Sequence, residues 1–313
     1  MSLQQFENGC VVKNPGSCAI IGGGLIATAG ALALEELGHD VTVVTRAPRP
    51  LRGETITWNY GDVSSQTAYN AVAAVDSVVY AAGTLGPATE LDSVHAAIAD
   101  EIIPVLKLAE YAAAGGARTF VFISSGGTVY GPDAPLPTRE IVRTAPINIY
   151  GTIKVLTEQA LLEVGRKHGL TIVILRVSNP YGPGQSGTRR LGFIAAAIKM
   201  ALAGEPIVIW GDGSTTRDFI FLEDVGAALA SAASYRGESV ILNIGSGTEH
   251  SLLEVCDIVS SNITRPMDIR FDQSRSFDVP RSFLDVSRAA EVLNWRPFIV
   301  LEEGISKTMK GII

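Results

Sequence analysis

The sequence contains few cysteines and few histidines, and this excludes several kinds of protein. Its three cysteines, Cys10, Cys18 and Cys256, are far apart and odd in number, so they indicate reduced thiols rather than a disulfide framework. The four histidines have no metal-ligand spacing with these cysteines. We therefore expect neither a metal site nor a small disulfide-stabilised domain.

Positive charge and long apolar runs are also scarce. The formal net charge is -7, and no cluster of Lys and Arg offers the phosphate neutralisation that a nucleic-acid groove requires. No apolar run is long enough to span a membrane, and the N-terminal MSLQQFENG lacks the basic and apolar regions of a signal peptide. The sequence predicts a cytoplasmic protein that binds neither nucleic acid nor membranes.

The chain is 47% apolar, and short β-branched runs alternate along it with longer helical segments. This alternation is typical of a parallel sheet covered on both faces. The predicted strands are residues 18–21, 41–45, 77–81, 119–124 and 171–176. The predicted helices are residues 27–38, about 101–116 and 150–169, the last ending at Gly169. The predicted fold class is α/β, a doubly wound parallel sheet of the Rossmann type.

The composition changes after residue 178, where SNPYGPGQSGTRR is rich in Gly and Pro. We predict a dinucleotide-binding domain over residues 1–178 and a smaller α/β substrate-binding domain over 179–313. The second contains short strands such as PIVIW and SVILNIG, and we expect it to exchange elements with the first.

A glycine-rich turn follows the first predicted strand. In IIGGGLIATAG, Gly22, Gly24 and Ala27 satisfy the G-x-G-x-x-G/A pattern, which lets a pyrophosphate approach helix N–H groups. The alternative is a tight turn that binds nothing. The pattern lies in the first strand-helix unit, and this position disfavours the alternative. The second strand ends in Thr45 and Arg46 instead of the acidic residue usual for NAD. Arg46 could pair with the 2′-phosphate of NADP, or it is a solvated loop charge.

The segment YGTIK carries the strongest chemical signal. Tyr150 and Lys154 are four residues apart, on one face of a helix and about 6 Å apart along its axis. A nearby ammonium lowers the pKa of a phenol, so Tyr150 can exchange a proton with a substrate hydroxyl. An exposed tyrosine beside a solvated lysine is the alternative, and the surrounding motifs decide between them.

Eight motifs occur in order along nearly the whole chain. They are the glycine turn, GD at 61–62, AAG at 81–83, SSGGTVYG at 124–131, YGTIK at 150–154, RVSNPYGPGQ at 176–185, GDGSTTRDFIFLEDV at 211–225 and DVPRSFLDVSRA at 278–289. Together they resemble the extended short-chain dehydrogenase/reductases of the NAD-dependent epimerase/dehydratase family, especially those like UDP-glucose 4-epimerase. The resemblance implies bound NAD, a nucleotide-sugar substrate and a transient 4-keto sugar.

The resemblance also implies the roles of individual residues. Tyr150 would be the acid/base and Lys154 its electrostatic partner, which also holds a cofactor ribose. The implied cofactor-binding residues are Gly22, Gly24, Leu25, Ile26, Arg46, Asp62, Val63, Ala81, Ala82, Gly83, Tyr150 and Lys154. The implied substrate-binding residues are Ser125, Asn179, Arg217, Arg275 and Asp278. A homodimer through helices near residues 93–114 and 150–168 is expected on the same ground.

The family places a catalytic Ser or Thr hydroxyl where this sequence has Gly126. Ser125 can replace it if the adjacent glycines bend the strand, and Thr128 can replace it if the strand edge stays extended. Related dehydratases carry an acid directly after this position, whereas Gly127 and Thr128 follow here. Neither can exchange a proton near neutral pH, so dehydration is disfavoured.

Two further positions depart from the family pattern. Ile21 stands where the turn usually begins with Gly, and the family's Asn at the start of the fourth helix appears as Asp100 or Glu101. Ser282 replaces a bulky tyrosine of hexose-only epimerases, so an N-acetyl group can fit beside the sugar.

Three functions remain open from the sequence. The first is a nucleotide-sugar 4-epimerase acting on a UDP-hexose or UDP-N-acetylhexosamine. The second is an NADPH-dependent nucleotide 4-ketosugar reductase, favoured by Arg46. The third is a non-catalytic dinucleotide-binding protein.

Overall fold

The computed structural model describes residues 15–46, 55–87, 89, 93–185, 192–263, 266–273 and 279–311. Its strands are β1 (Ser17–Ile21), β2 (Asp40–Thr45), β3 (Thr57–Tyr60), β4 (Ser77–Tyr80), β5 (Thr119–Ser125), β6 (Thr171–Val177), β7 (Asn179–Tyr181), β8 (Ile207–Trp210), β9 (Thr216–Arg217), β10 (Phe219–Phe221), β11 (Val240–Ile244), β12 (His250–Ser251) and β13 (Ile269–Asp272). Its helices are α1 (Leu25–Glu36), α2 (Gln66–Val72), α3 (Val94–Ala97), α4 (Ile103–Ala114), α5 (Ile149–His168), α6 (Phe193–Ala203), α7 (Leu222–Ser234), α8 (Leu252–Ser261), α9 (Ser287–Leu293) and α10 (Leu301–Lys310). A π-helical turn, Ile98–Ile102, joins α3 to α4.

A seven-stranded sheet in the order β11-β6-β5-β4-β1-β2-β3 forms the centre of the fold. Every neighbouring pair in it is parallel, so the predicted doubly wound parallel sheet is confirmed. The chain moves outward from β1 to β3 and then returns to β4 on the other side of β1. The sheet therefore has its topological switch point between β1 and β4, where open α/β sheets bind ligands at the carboxyl ends of the strands.

Both faces of the sheet are covered by helices. On one face, α1 and α7 bury apolar side chains such as Leu34 and Leu229 against Ile20 and Val121. On the other face, α2, α4 and α5 bury a second group of apolar side chains against β1, β4, β5 and β6. Burial on both sides explains why the strand sequences are continuous apolar runs rather than alternating ones.

The contact between α1 and α7 is close because glycines stand at the crossing. A Cβ atom built on Gly30 would lie 2.6 Å from a methyl carbon of Leu229, and one on Gly226 would lie 2.6 Å from the carbonyl oxygen of Ala29. Side chains at these positions would separate the helices. The fit holds α1, and with it the glycine turn at its start, firmly against the sheet.

Residues after 178 contribute to the sheet as well as forming a core of their own. β11, from the segment SVILNIG, pairs with β6 at one edge of the sheet. Elsewhere, α6, β8, α8 and α10 enclose a third apolar cluster around Ile198 and Val255. The division at residue 178 stays a prediction. None of the described helices combines the length and apolarity needed to cross a membrane.

Candidate functional site

The glycine turn lies at the switch point of the sheet and touches the end of β4. Gly22 has a φ of 128°, and a Cβ atom built on it would lie 2.7 Å from the carbonyl oxygen of Ala81. Only glycine satisfies both the backbone conformation and this contact. Ile21 is fully buried as the last residue of β1, so the turn starts at Gly22 although the family pattern begins one residue earlier.

The start of α1 has the features of a pyrophosphate site. Gly24 is the N-cap, it supplies no capping side chain, and a Cβ atom built on it would meet nothing within 4 Å. The first turn of α1 carries no acidic residue, so no carboxylate of that turn repels an anion from the positive end of the helix. These residues fit a dinucleotide, with the first-turn residues Leu25 and Ile26 directly behind Gly24.

The other predicted cofactor residues lie at the ends of neighbouring strands. Arg46 is exposed directly after β2, and Asp62 is exposed after β3, where its carboxylate accepts a hydrogen bond from the Ser64 N–H at 3.1 Å. Val63 is partly buried beside α2. Ala81, Ala82 and Gly83 continue from β4. The structure therefore brings the predicted residues to the one edge of the sheet where a dinucleotide could extend.

The structure brings Tyr150 and Lys154 together in one pocket. The Lys154 Nζ lies 5.7 Å from the centre of the Tyr150 ring and 4.7 Å from that of Phe122, and it donates to the Ile123 carbonyl at 2.9 Å. Asn148 caps α5 by accepting from the Gly151 N–H at 2.8 Å, which fixes the helix start that presents Tyr150. The pocket is lined by Tyr80, Ala82, Leu85, Glu101, Phe122, Tyr150, Ile153, Lys154 and Thr157.

Burial makes the Lys154 ammonium easier to deprotonate than an exposed lysine. Desolvation lowers its pKa from 10.5 to about 8, and the charges of Glu101 and Glu158 oppose that fall. The lysine thus remains mostly protonated at neutral pH, with two carboxylates near it that favour the charged form. A charged Lys154 beside Tyr150 would stabilise the tyrosinate that forms when the phenol gives up its proton.

The edge of β5 explains why a hydroxyl is missing at position 126. The Gly126 N–H donates to the Val177 carbonyl at 2.7 Å, and a Cβ atom built on Gly126 would lie 2.5 Å from Cδ1 of Leu284 and 3.0 Å from the Arg176 carbonyl oxygen. Leu284 is 2% exposed and fills this space. A side chain at 126 would therefore point into the protein, so a serine there would meet Leu284.

The three hydroxyls around Gly126 have different surroundings. The Ser124 hydroxyl donates to the Glu158 carboxylate on the buried side of α5, so it already has a partner. Ser125 is the last residue of β5 and half-buried, and strand alternation points it to the opposite face from Ser124. The Thr128 Oγ1 is buried and, among the residues that the structure describes, has no hydrogen-bond partner. Ser125 and Thr128 both remain candidates for the reacting hydroxyl.

A buried ion pair supports this edge, and sequence reasoning missed it. The Arg176 guanidinium donates to both carboxylate oxygens of Glu158, at 3.1 and 2.6 Å, with side chains 3% and 0% exposed. The same guanidinium lies 4.8 Å from the centre of the Tyr130 ring, whose hydroxyl donates to Asn243 at 2.7 Å. The spacing of Tyr150, Lys154 and Glu158 along one helix face is the signal that could have predicted it.

A second cavity adjoins the residues that follow β5. It is lined by Gly126, Gly127, Tyr130, Gly131, Ala134, Leu136, Thr138, Val279, Arg281 and Ser282. Asn179 is nearby, because its Oδ1 would lie 4.0 Å from a Cβ atom built on Gly127. Arg217 donates from Nη1 to the Val279 carbonyl at 2.6 Å, so it adjoins the cavity wall. The predicted residues Arg275 and Asp278 lie outside the described residues.

Comparison with known proteins agrees with these motifs. A model of the NAD dependent epimerase/dehydratase family matches residues 18–245. The chain belongs to that family. It is 36% identical over 209 residues to a UDP-glucose 4-epimerase of Mycolicibacterium smegmatis, covering 67% of each chain. It is 34% identical over 197 residues to a dTDP-4-dehydro-6-deoxyglucose reductase of Escherichia coli, covering 63% of this chain and 62% of the reductase.

Solved structures give the same family fold over more of the chain. The Thermotoga maritima UDP-glucose 4-epimerase with UDP-glucose has a TM-score of 0.85 and 27% identity, covering 94% of this chain and 98% of that one. The curated relatives above are matched over about two thirds of their length or slightly less. As a member of this NAD-dependent family, the chain is an enzyme of the epimerase or oxidoreductase type.

Glu101, a departure from the family pattern, lines the pocket that holds Tyr150 and Lys154. It stands in the π-helical turn, and its Oε1 accepts from the Thr84 N–H at 2.7 Å and from the Thr84 hydroxyl. Asp100, the alternative for the family's Asn, is exposed. The structure therefore puts Glu101, and not Asp100, at the wall of the pocket that holds Tyr150 and Lys154.

Proposed function

We propose that this protein is a nucleotide-sugar 4-epimerase that uses tightly held NAD. The observation that carries the proposal is the pocket shared by Tyr150 and Lys154, beside a glycine turn that fits a dinucleotide. Its relatives include a UDP-glucose 4-epimerase at 36% identity. Gly127 and Thr128 leave the β5 edge without the acid that elimination of water would need.

In this mechanism Tyr150 takes the proton of the sugar hydroxyl and later returns it. The positive charge of Lys154 favours the tyrosinate, which is the form of Tyr150 that can accept this proton. Bound NAD would supply a hydride acceptor and then a hydride donor at the same carbon. Gly22, Gly24 and the first turn of α1 would hold its pyrophosphate, and Ala81 to Gly83 would line its path toward Tyr150.

The hydroxyl that orients the reacting oxygen is assigned to Ser125. Ser125 is half-buried at the end of β5, where the glycines that follow can turn its hydroxyl toward a ligand, whereas the Thr128 Oγ1 is enclosed by protein. Asn179 and Arg217 would bind the substrate on the side of the second cavity, Asn179 beside Gly127 and Arg217 beside Val279. Arg275 and Asp278 complete this proposed set from outside the described residues.

The wall of the second cavity supports a choice of substrate class. Ser282 lies in that wall with Gly126 and Gly127, and its small side chain leaves room for an N-acetyl group. We therefore include UDP-N-acetylhexosamines beside UDP-hexoses. Comparing epimerisation of UDP-N-acetylglucosamine and UDP-glucose tests the point, and turnover of the hexose alone would contradict it.

A homodimer is proposed through α4 and α5. Both helices carry exposed apolar side chains, with exposed fractions of 43% for Ile103, 43% for Tyr111 and 45% for Leu156. Apolar residues on adjacent helices make a surface of the kind that a second copy of the chain can bury.

The decisive experiment measures product and cofactor together. Purified protein is incubated with UDP-glucose, and the sugar stereochemistry is followed by NMR while the dinucleotide released by denaturation is quantified. An epimerase interconverts the C4 epimers with no net change in NAD, and Tyr150→Phe lowers the rate by about 10²–10⁴-fold while retaining the dinucleotide. Dinucleotide binding without turnover, unaffected by Tyr150→Phe, would instead favour a non-catalytic binding protein.

A 4-ketosugar reductase is the second candidate. The E. coli relative at 34% identity is a reductase of this kind, and exposed Arg46 at the end of β2 could bind the 2′-phosphate of NADPH. Stoichiometric consumption of NADPH with a nucleotide 4-ketosugar, together with loss of NADPH affinity in Arg46→Ala, would support the reductase over the epimerase.

A further inference from the structure

The charge balance around Lys154 includes two carboxylates that the proposed mechanism does not use. The charged and titratable groups facing this buried ammonium are Glu101 from the π-helical turn, Tyr80 at the end of β4, and Tyr150 and Glu158 on its own helix. Its hydrogen-bond acceptor, the Ile123 carbonyl, is neutral. A buried ammonium needs a compensating negative charge to stay protonated.

Glu158 is poorly suited to supply that charge. Both of its carboxylate oxygens accept from the Arg176 guanidinium, and one also accepts from Ser124. Its negative charge is therefore already balanced by a buried arginine in a bidentate ion pair. Within the described part of the chain, Glu101 has no such partner cation: its Oε1 accepts from the neutral backbone N–H and hydroxyl of Thr84.

The position of Glu101 is fixed from two directions. The π-helical turn Ile98–Ile102 displaces the backbone between α3 and α4, a distortion that is frequent at functional sites. The hydrogen bonds from Thr84 hold the carboxylate against the end of β4, and a Cβ atom built on Gly83 would lie 3.3 Å from its Oε2. The fold itself therefore holds the Glu101 carboxylate at the wall of the pocket.

We infer that Glu101 is a positioning residue for the proposed acid/base pair: its carboxylate, held by Thr84 at the pocket wall, supplies the negative charge that keeps the buried Lys154 protonated. This inference rests on the proposed function for its catalytic consequence, but the charge on Lys154 can be measured without substrate. Glu101 acts through Lys154 and transfers no proton itself.

The test is Glu101→Gln, which removes the charge but keeps an oxygen that can accept from Thr84. Asp100→Asn is the matched control, because it removes an exposed carboxylate from the same π-helical turn. The extent to which the Lys154 amine reacts with a small amine-reactive reagent is measured at a series of pH values, by peptide mass spectrometry on the purified chain. We expect the midpoint to fall by about one pH unit in Glu101→Gln and to stay unchanged in Asp100→Asn.

The pH dependence of turnover provides the second measurement. Protonated Lys154 is the active form, so kcat/KM should fall as the pH rises through its pKa, which is about 8 in the parent protein. Glu101→Gln should move this alkaline limb to lower pH by about one pH unit. Glu101→Asp keeps the negative charge, so its shift should be smaller. Thr84→Val, which removes one hydrogen bond to the carboxylate, should give a smaller shift in the same direction.

The outcomes separate this inference from the proposed function. An unchanged Lys154 reactivity midpoint in a folded Glu101→Gln protein overturns the inference, whether or not any nucleotide sugar is turned over. An equal shift in Asp100→Asn also overturns it, because the effect would then come from the net charge of the turn. A shifted midpoint without turnover of any substrate leaves the charge role intact and contradicts the epimerase.

Discussion

Leu284 occupies the space into which any side chain at Gly126 would point, with its Cδ1 2.5 Å from a Cβ atom built on the glycine. Leu284 is packed with Val129 and Tyr130 and cannot move aside freely. Restoring the family's hydroxyl by Gly126→Ser should therefore lower the free energy of unfolding by about 1–3 kcal/mol and should not raise turnover.

A double variant provides the control for this prediction. Leu284→Ala opens the space, so the loss in Gly126→Ser/Leu284→Ala should be smaller than the sum of the two single losses, as measured by urea unfolding. A Gly126→Ser protein with parent stability and faster turnover would contradict the assignment of Leu284 as the obstacle.

Ser125 and Thr128 can be separated by comparing turnover with stability. Ser125→Ala should lower kcat by about 10²-fold or more, because it removes the hydroxyl assigned to the reacting oxygen. Thr128→Val keeps the side-chain shape and removes a buried hydroxyl that lacks a partner among the described residues, so it should raise the free energy of unfolding by up to about 1 kcal/mol. If Thr128→Val lowers kcat and Ser125→Ala does not, the catalytic hydroxyl belongs to Thr128.

The Glu158–Arg176 ion pair should be costly to break from one side. Glu158→Gln leaves the buried Arg176 charge without its carboxylate, and we expect a loss of about 3–5 kcal/mol in the free energy of unfolding. Replacing both residues, as in Glu158→Leu/Arg176→Met, should recover most of that loss, because no charge remains buried. Thermal and denaturant unfolding of the parent protein and the two variants measures the effect, and a double variant no more stable than Glu158→Gln would contradict it.

The proposed dimer predicts a specific response to charge on α5. Leu156→Glu puts a carboxylate on the exposed apolar surface, so it should weaken self-association at least about tenfold in sedimentation experiments. Ile141→Glu is the control, since Ile141 is 79% exposed and lies outside α4 and α5. Equal effects of the two substitutions, or a monomeric parent protein, would contradict this interface.

The sequence was sufficient to predict five of the seven strands of the sheet and the glycine turn, because these depend on local patterns. Apolar runs predicted β1, β2, β4, β5 and β6, and Gly169, with a φ of 67°, ends α5 as expected. β3, with sequence TWNY, was not predicted, because its partly exposed residues form no apolar run. The location of β11 in the main sheet depends on long-range pairing with β6, which no local pattern contains.

The parts of the candidate site whose geometry depends on motif spacing could be predicted from the sequence. The parts whose geometry depends on packing against distant residues could not. Helical periodicity alone places Lys154 beside Tyr150, whereas its partner Ile123 contributes only a carbonyl that any residue could offer. The obstacle at Gly126 comes from Leu284, which is distant in sequence. The wall position of Glu101 depends on a π-helical turn, and a turn of that kind has no recognisable sequence signal in IADEI.

Asp224 should make the folding stability depend on pH in a direction opposite to that of most carboxylates. It is buried in the first turn of α7, where it accepts from the N–H groups of Phe298 and Ile299 at 3.0 and 3.2 Å. Burial raises its pKa from 3.8 to about 6, against the effect of these hydrogen bonds. The folded chain therefore binds this proton more tightly than the unfolded chain does.

Stability from this group is complete below about pH 4 and decreases as the pH rises to about 6, above which it is constant. The difference in unfolding free energy between the parent protein and Asp224→Asn should fall by roughly 2–3 kcal/mol between pH 4 and pH 7. The comparison cancels the other titrating groups, because both proteins share them. A difference that is independent of pH would mean that Asp224 titrates normally and that its hydrogen bonds from Phe298 and Ile299 fully offset its burial.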